Sequence, residues 1–412
     1  MKSSRYLSIA LAGLFAALLA SSCNNSFGAF SAIQKAQQQS STSDFKQASV
    51  VNFAQTTNNY YAVMAAVYWR PISGGSWSSL ALPGVGTNYA CTGIASNGTT
   101  DIYISATSNT DNSSNIYHSA DGGVTWTTFG IAGINLTVSG TEYDQIDGIW
   151  LANGTLYAQL QYFSTSGVVQ SPNVGYSLYY ATGSNFSLVS GPPSATGPGV
   201  GNTTPFMGVA AATVSVNCLA YGASLYYSTD GSAPYLTFTQ ATINSGDGNI
   251  VMGLKSSLNT SPSAGLFAWT SSHIYLTTSG SSFSAINSPS LSSDNFISDV
   301  QEVPTGTSSY ELVVGTGTNN VSYTANGYFE GAESSLGSVS TWLGGDLGQI
   351  APNSISSTYD ALFASKPVTK LFYSGNATSG TFFAGISASG LGTTAYGLVS
   401  APYPWTGSWT AQ

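Results

Sequence analysis

"IYHSADGGVTW" (116–126) is a short strand that ends in a turn and runs into a second strand opened by a tryptophan. Its first six residues have counterparts along the chain: "VYWRPI" from Val67, "LYYATG" from Leu178, "LYYSTD" from Leu225, "IYLTTS" from Ile274, "VSYTAN" from Val321 and "LFYSGN" from Leu371. With the copy at Ile116 that makes seven, starting 49, 62, 47, 49, 47 and 50 residues apart. A fixed period of this size marks a repeat architecture, in which one unit buries its faces only against its neighbours.

Each copy is preceded by another strand-like run ("TDIYISAT", "TLYAQLQY", "GLFAWTS", "YELVVGTG", "DALFASK") and followed, in several units, by a third ("VTWTTFG", "NFSLVSG", "YLTFTQ", "SFSAINS"). Before these comes a run that ends in a turn, as in "GIASNGT", "GIWLANGT" and "ISDVQEVPTGT". Four short strands in a unit of about 48 residues predict a β-propeller blade. No stretch after residue 47 keeps helical periodicity for three turns, so the expected class is all-β, a β-propeller of seven four-stranded blades. Residues 388–412 are surplus to seven repeats, as a closing strand or as part of an eighth blade.

Only 6% of the 412 residues are charged, 12% are aromatic, and the formal net charge is −9 with 8 Lys+Arg. No basic run is present, which excludes nucleic acid as a partner, because affinity for phosphates is built from Lys and Arg. Low charge with many aromatics also excludes a disordered chain. His118 and His273 are isolated and have no third ligand at metal-like spacing, so neither a metal nor a cofactor is expected. Cys91 and Cys218 sit in apolar strand-like runs and read as small buried thiols rather than as a disulfide.

Lys2 and Arg5 precede an apolar run from Leu7 to Ala20, then Ser21, Ser22 and Cys23. This is the layout of an export signal, 1–22. "LLASSC" resembles a relaxed bacterial lipobox, with Ala20 where the common pattern has Leu. The resemblance implies lipidation of Cys23 and attachment to a membrane of the bacterial cell envelope, at the outer membrane or cell surface. The alternative is ordinary cleavage near Ser22. Residues 23–47 come next as the lipidated Cys and a Gln- and Ser-rich tether, and 48–412 as the propeller.

Ser119, Asp121, Gly123, Thr125 and Trp126 stand in the order S-x-D-x-G-x-T-W, and "STDGSAPY" (228–235) keeps Ser228, Asp230 and Gly231 of the same pattern. The pattern resembles the Asp box of sialidase-like (BNR) repeats. In such a turn an Asp accepts backbone N–H groups, Gly supplies a positive φ, and Trp buries its ring between sheets. The resemblance implies that these residues are structural and that ligands are handled at the opposite end of the ring, where first-strand entries and second-to-third-strand loops lie. The connections expected there carry Glu142, Tyr143, Asp144, Asp147, Asp247, Asp294, Asp299, Trp342 and Asp346, with the loop 164–175 and Asp111 beside them. Carboxylates with aromatics suit a cation, a sugar or a basic segment, although Asp, Gly and Ser are also what turns are made of.

Sialidases, as the resemblance implies, grip a substrate carboxylate with three arginines. Here Arg5 leaves with the signal and Arg70 stands alone, so sialidase chemistry is not expected. Asp-box propellers also include non-enzymes, among them sortilin-type receptors and a photosystem II assembly factor. The function expected is therefore a surface-tethered lipoprotein whose propeller binds a protein or glycan partner without catalysis. The alternative is a glycoside hydrolase using Asp144 or Asp147 against Asp299 or Asp346, since that chemistry needs two carboxyls about 5 to 10 Å apart. A propeller that only spaces the surface would bind nothing.

Overall fold

The computed structural model describes residues 49–132, 142–164, 175–189, 204–228, 237–258, 265–291, 294–306, 309–318, 327–344, 367–376, 378–387, 397–403 and 410–412. The expected signal peptide, Cys23 and the tether lie outside them, as do Asp230, Gly231 and Asp346. The described residues form strands and turns only, in seven sheets.

The first blade is β1 (Asn52–Gln55), β2 (Asn59–Val63), β3 (Val67–Pro71) and β4 (Ser78–Ser79), and the second is β5 (Tyr89–Ser96), β6 (Ile102–Ser108), β7 (Ser114–Ser119) and β8 (Thr127–Phe129). The third is β9 (Glu142–Ala152), β10 (Thr155–Ser164), β11 (Gly175–Thr182) and β12 (Asn185–Leu188), and the fourth is β13 (Phe206–Thr213), β14 (Val216–Tyr221), β15 (Ser224–Ser228) and β16 (Phe238–Gln240). In the fifth, β17 (Thr242–Asn244) lies parallel to the outer strand of β18 (Gly253–Ser256), β19 (Leu266–Trp269), β20 (Ile274–Thr277) and β21 (Ser282–Ile286). The sixth is β22 (Asn295–Pro304), β23 (Tyr310–Thr318), β24 (Gly327–Glu333) and β25 (Leu343–Gly344), and the seventh is β26 (Val368–Asn376), β27 (Ser379–Ile386), β28 (Leu398–Tyr403) and β29 (Thr410–Ala411). Within each blade the four successive strands pair antiparallel in sequence order.

The first strands of the blades neighbour one another in turn, β1 beside β5 and so on round to β26 beside β1, which closes the ring. The apolar core divides accordingly into seven clusters, one in each gap between blades. Period-2 alternation explains this: successive side chains enter opposite gaps, and both gaps are apolar. Strand β2, Asn59–Val63, is buried at all five positions for that reason. Among the described residues no sheet is shared across the closing gap. Blades one and seven are each built from consecutive chain and meet through side chains, with Phe53 stacked on Phe372 at 5.5 Å and Tyr60 edge-on to Phe383 at 5.0 Å.

The seven-blade, all-β expectation holds, and the eighth blade does not: residues 388–412 contain β28 and β29 of the seventh blade. The count of seven repeats agrees with the blades, although the last copy does not fall where the period places it. Five copies fall on third strands β3, β7, β11, β15 and β20, but "LFYSGN" from Leu371 lies in β26, a first strand. "VSYTAN" lies outside the described residues, and the third strand of that blade is Gly327–Glu333. An inner strand with apolar gaps on both sides carries the same aromatic-aliphatic alternation as a third strand, so this pattern cannot tell them apart.

Candidate functional site

Five first strands share an irregularity near their start: one residue is left out of the ladder with the second strand. It is Thr92 in β5, Asp147 in β9, Met207 in β13, Ser298 in β22 and Thr369 in β26. Such a bulge bends the strand and re-aims the residue after it. That next residue is Gly93, Gly148 and Gly208 in three blades, but Asp299 and Lys370 in the sixth and seventh. A Cβ on Gly93 would stand 2.7 Å from the backbone nitrogen of Ile149, so glycine there lets adjacent first strands approach. The two charged replacements are therefore the departure from the repeat.

Asp299 is wholly buried, and three donors converge on its carboxylate. Lys255 Nζ of β18 lies 3.1 Å from Oδ2, the Leu371 N–H of β26 donates to Oδ2 at 2.8 Å, and Lys370 Nζ lies 3.4 Å from Oδ1. Lys255 also donates to the Leu371 carbonyl at 3.1 Å. Leu371 faces Ala384 of β27 across the ladder, so Asp299 and Lys255 satisfy both polar groups of one residue on a strand that has sheet on one side only. First strands have their open edge toward the ring axis. Side chains from blades five, six and seven thus meet at the axis around a single carboxylate.

Burial alone would push the Asp299 carboxyl up, but the two ammonium groups and the Leu371 N–H outweigh it and hold the group below the usual carboxylate range. Burial pulls Lys255 down to about 8, against the pull of Asp299, with the Lys370 charge adding to the depression. Both ammonium side chains keep contact with solvent, 22% and 24% exposed, while the carboxylate between them has none. The cluster is a fixed ion triad with one positive charge in excess.

Asp147 is another buried carboxyl on a first strand, in the bulge of β9. Desolvation raises it to about 7, partly offset by the Gln159 amide, which donates to Oδ2 at 3.1 Å. The Gln159 carbonyl oxygen accepts from the Phe206 N–H of the next blade, fixing that amide between blades three and four.

The other expected site residues are dispersed. Asp247 and Asp294 lie in turns before first strands β18 and β22, as expected, and exposed Asp111 lies between β6 and β7 on the same end. Asp247 accepts from Thr270, Ser272 and Asn249 and pairs with His273 Nδ1 at 2.9 Å, which ties the strand entry to the loop between β19 and β20. Glu142, Tyr143, Asp144 and Asp147, expected in a connection, belong to β9, whose ladder with β10 begins at Glu142. Asp299 likewise lies inside β22 rather than before it. Trp342 precedes the fourth strand β25, at the end of the ring opposite the first-strand entries, and packs on Gly331 in the gap between blades five and six. For β9 and β22 the strand extends further than the turn composition indicated, whereas Trp342 falls outside a strand because the fourth strand of its blade starts only at Leu343.

The 119–126 turn closes on itself. Asp121 accepts from the N–H groups of Val124 and Thr125 and from the hydroxyls of Ser119 and Thr125, which hold its carboxyl far below the ordinary value. Trp126 Nε1 donates to the Gly123 carbonyl, and Thr56, Asn59 and Tyr61 of the first blade all donate to the Gly122 carbonyl. Ser228 is buried at the end of β15. Cys91 and Cys218 are buried and unbridged. Among the described residues no group of three His, Cys, Asp or Glu is arranged to hold a metal.

Sequence reasoning missed Lys255, Lys370 and four glutamates of the sixth blade. After residue 47 the chain has only Arg70, Lys255, Lys366 and Lys370 as cations, and this scarcity was the available signal. Glu302, Glu311, Glu330 and Glu333 are four of the five glutamates in the chain and lie on β22, β23 and β24. They form two carboxyl pairs on opposite faces of that sheet, Glu302 with Glu333 and Glu311 with Glu330.

No family model matches the chain, and no curated protein matches it in sequence. Solved structures of similar fold include YCF48 bound to D1 peptide, at 11% identity over 87% of this chain and 93% of that one with a TM-score of 0.46. They also include the GH74 xyloglucanase from Xanthomonas campestris, at 13% identity over 89% of this chain and 64% of that one with a TM-score of 0.35. The Penicillium chrysogenum alpha-L-arabinanase complexed with arabinobiose is 11% identical over 66% and 89%, with a TM-score of 0.38. The chain is a seven-bladed β-propeller by its own strand order. At these identities and TM-scores the likenesses carry no statement of function.

Proposed function

We propose that the protein is a surface-tethered lipoprotein of the bacterial cell envelope, anchored through Cys23, whose propeller binds a protein or glycan partner without catalysis. One observation carries this reading. Asp299, the carboxylate at the ring axis, has both oxygens engaged by Lys255, Lys370 and the Leu371 N–H and is held ionised. A general acid must carry a proton near neutral pH, and a nucleophile must present a free oxygen. Asp299 does neither, so it is suited to shaping a recognition surface.

Asp147 favours the second reading. A carboxyl raised to about 7 by burial has the value a glycosidase acid needs. The test is a glycan-array and glycosidase-substrate screen of the chain beside its Asp147→Asn and Asp144→Asn/Asp147→Asn variants. Binding without turnover supports the receptor. Hydrolysis that disappears in the variants replaces it with the hydrolase.

A further inference from the structure

We infer that the axial lysine pair, Lys255 and Lys370, is a binding site for one carboxylate group presented by the partner, an inference that rests on the receptor reading above.

The charge count comes first. The chain has a formal net charge of −9 and four cations after residue 47, yet two of the four stand on one buried carboxylate. If the lysines served only to neutralise Asp299, one would suffice, and the second adds a like charge beside the first. The excess of one positive charge matches one monovalent anion.

Donor geometry agrees. An ammonium has three N–H groups. Lys255 directs two of its own to Asp299 and the Leu371 carbonyl, and Lys370 directs one to Asp299, which leaves one and two. Both lysine side chains retain some exposure, 22% and 24%, while Asp299 has none, so a ligand would approach the pair from the side away from Asp299. A carboxylate has two oxygens to take one donor from each lysine, repeating from outside the arrangement that Asp299 makes from inside. One excess positive charge suits the end of a chain or a side-chain carboxylate rather than a polyanion.

The test uses the full chain with acetate as probe, at pH 7 and constant ionic strength against chloride, read as the thermal midpoint. At ten times its dissociation constant the probe should raise the wild-type midpoint by about 2 °C, from the mass-action stabilisation of about 1.4 kcal/mol. Lys370→Met leaves Lys255 and Asp299 as a balanced pair and should abolish the rise, whereas Lys370→Arg should keep it. No rise in the wild type, or the same rise in Lys370→Met, overturns the inference. If Lys370→Met does not fold, the lysine Nζ resonances of ¹⁵N-labelled wild type give the same decision: two that move with acetate and not with chloride support it, and none moving overturns it. Partner binding found in the glycan or protein screen together with a silent acetate titration overturns the lysine site alone and leaves the receptor reading standing.

Discussion

Arg70 of β3 and Gln412 near the end of β29 are joined by a hydrogen bond of 2.7 Å across the gap that closes the ring. The same guanidinium lies 5.5, 5.1 and 5.4 Å from the ring centres of Tyr60, Trp77 and Phe383. Because blades one and seven share no strand, the closing gap depends on side chains more than a propeller clasped by a shared sheet would. Arg70 is the cation that binds it.

Arg70→Met keeps much of the stem packing but removes the cation–π contacts and the bond to Gln412. It should cost about 1 to 3 kcal/mol, and Gln412→Ala about 1 kcal/mol or less. Denaturant midpoints check both. Hydrogen exchange should rise first in β1, β26 and β27. Uniform loss of protection around the ring would show that this gap is not the weak one.

Removing a partner from the axial triad should be far more costly than removing the whole. Asp299→Leu leaves two ammonium groups beside each other with their shared carboxylate gone, and breaking a pair whose carboxylate is fully buried costs about 3 to 5 kcal/mol. The triple change with Lys255→Met and Lys370→Met should recover most of that loss. Urea unfolding of Asp299→Leu, of the double Lys255→Met/Lys370→Met and of the triple variant gives the coupling directly. Additive losses would remove the triad as an energetic unit.

The blade count was legible because turn-punctuated alternation repeats in register with the fold, and the "IYHSAD" copies sit on third strands in five blades. The candidate site was legible only in part. Asp247 lies where turn chemistry predicts, since a carboxylate among Gly, Asn and Ser does cap a turn. Asp299 and Asp147 read as loop acids in the sequence, because burial of a carboxylate inside a strand depends on lysines or amides from other blades. Lys255 is 44 residues before Asp299 and Lys370 is 71 after it. No local pattern couples such positions. The glutamate pairs escaped for a related reason: Glu311 and Glu330 meet diagonally across two strands, a relation that needs the register of β23 on β24.

Gly123 is the least replaceable residue of the 119–126 turn. Its φ is +94°, and a Cβ there would overlap the Tyr61 hydroxyl, which itself donates to the Gly122 carbonyl. Gly123→Ala should cost about 2 kcal/mol or more, from the left-handed backbone and the displaced tyrosine together. Asp121→Ala opens the turn without touching Tyr61, and should show instead as faster amide exchange at Val124 and Thr125. If Gly123→Ala proves neutral by thermal unfolding, the turn does not press on the first blade as its contacts indicate.

The carboxyl pairs of the sixth blade make stability fall as pH rises. Burial first, and the Glu311 carboxylate second, push Glu330 up to about 9, while burial and Glu302 push Glu333 to about 8. Both lie above the ordinary value of 4.5, so the fold holds protons that the unfolded chain releases. Each group therefore withdraws stability as pH climbs above about 4.5, by up to about 1.4 kcal/mol per pH unit. The withdrawal levels off only above its folded value. Asp147, raised to about 7, adds the same sign over a lower window. Urea midpoints between pH 5 and 8 should decline, and Glu330→Gln should flatten the decline by removing the charge that Glu311 would face. Because the two pairs occupy opposite faces of one sheet, the gaps on either side of the sixth blade should loosen together, with exchange rising in β22 to β24 before the other blades. A midpoint that rises with pH across that range would mean these carboxyls are ionised in the fold.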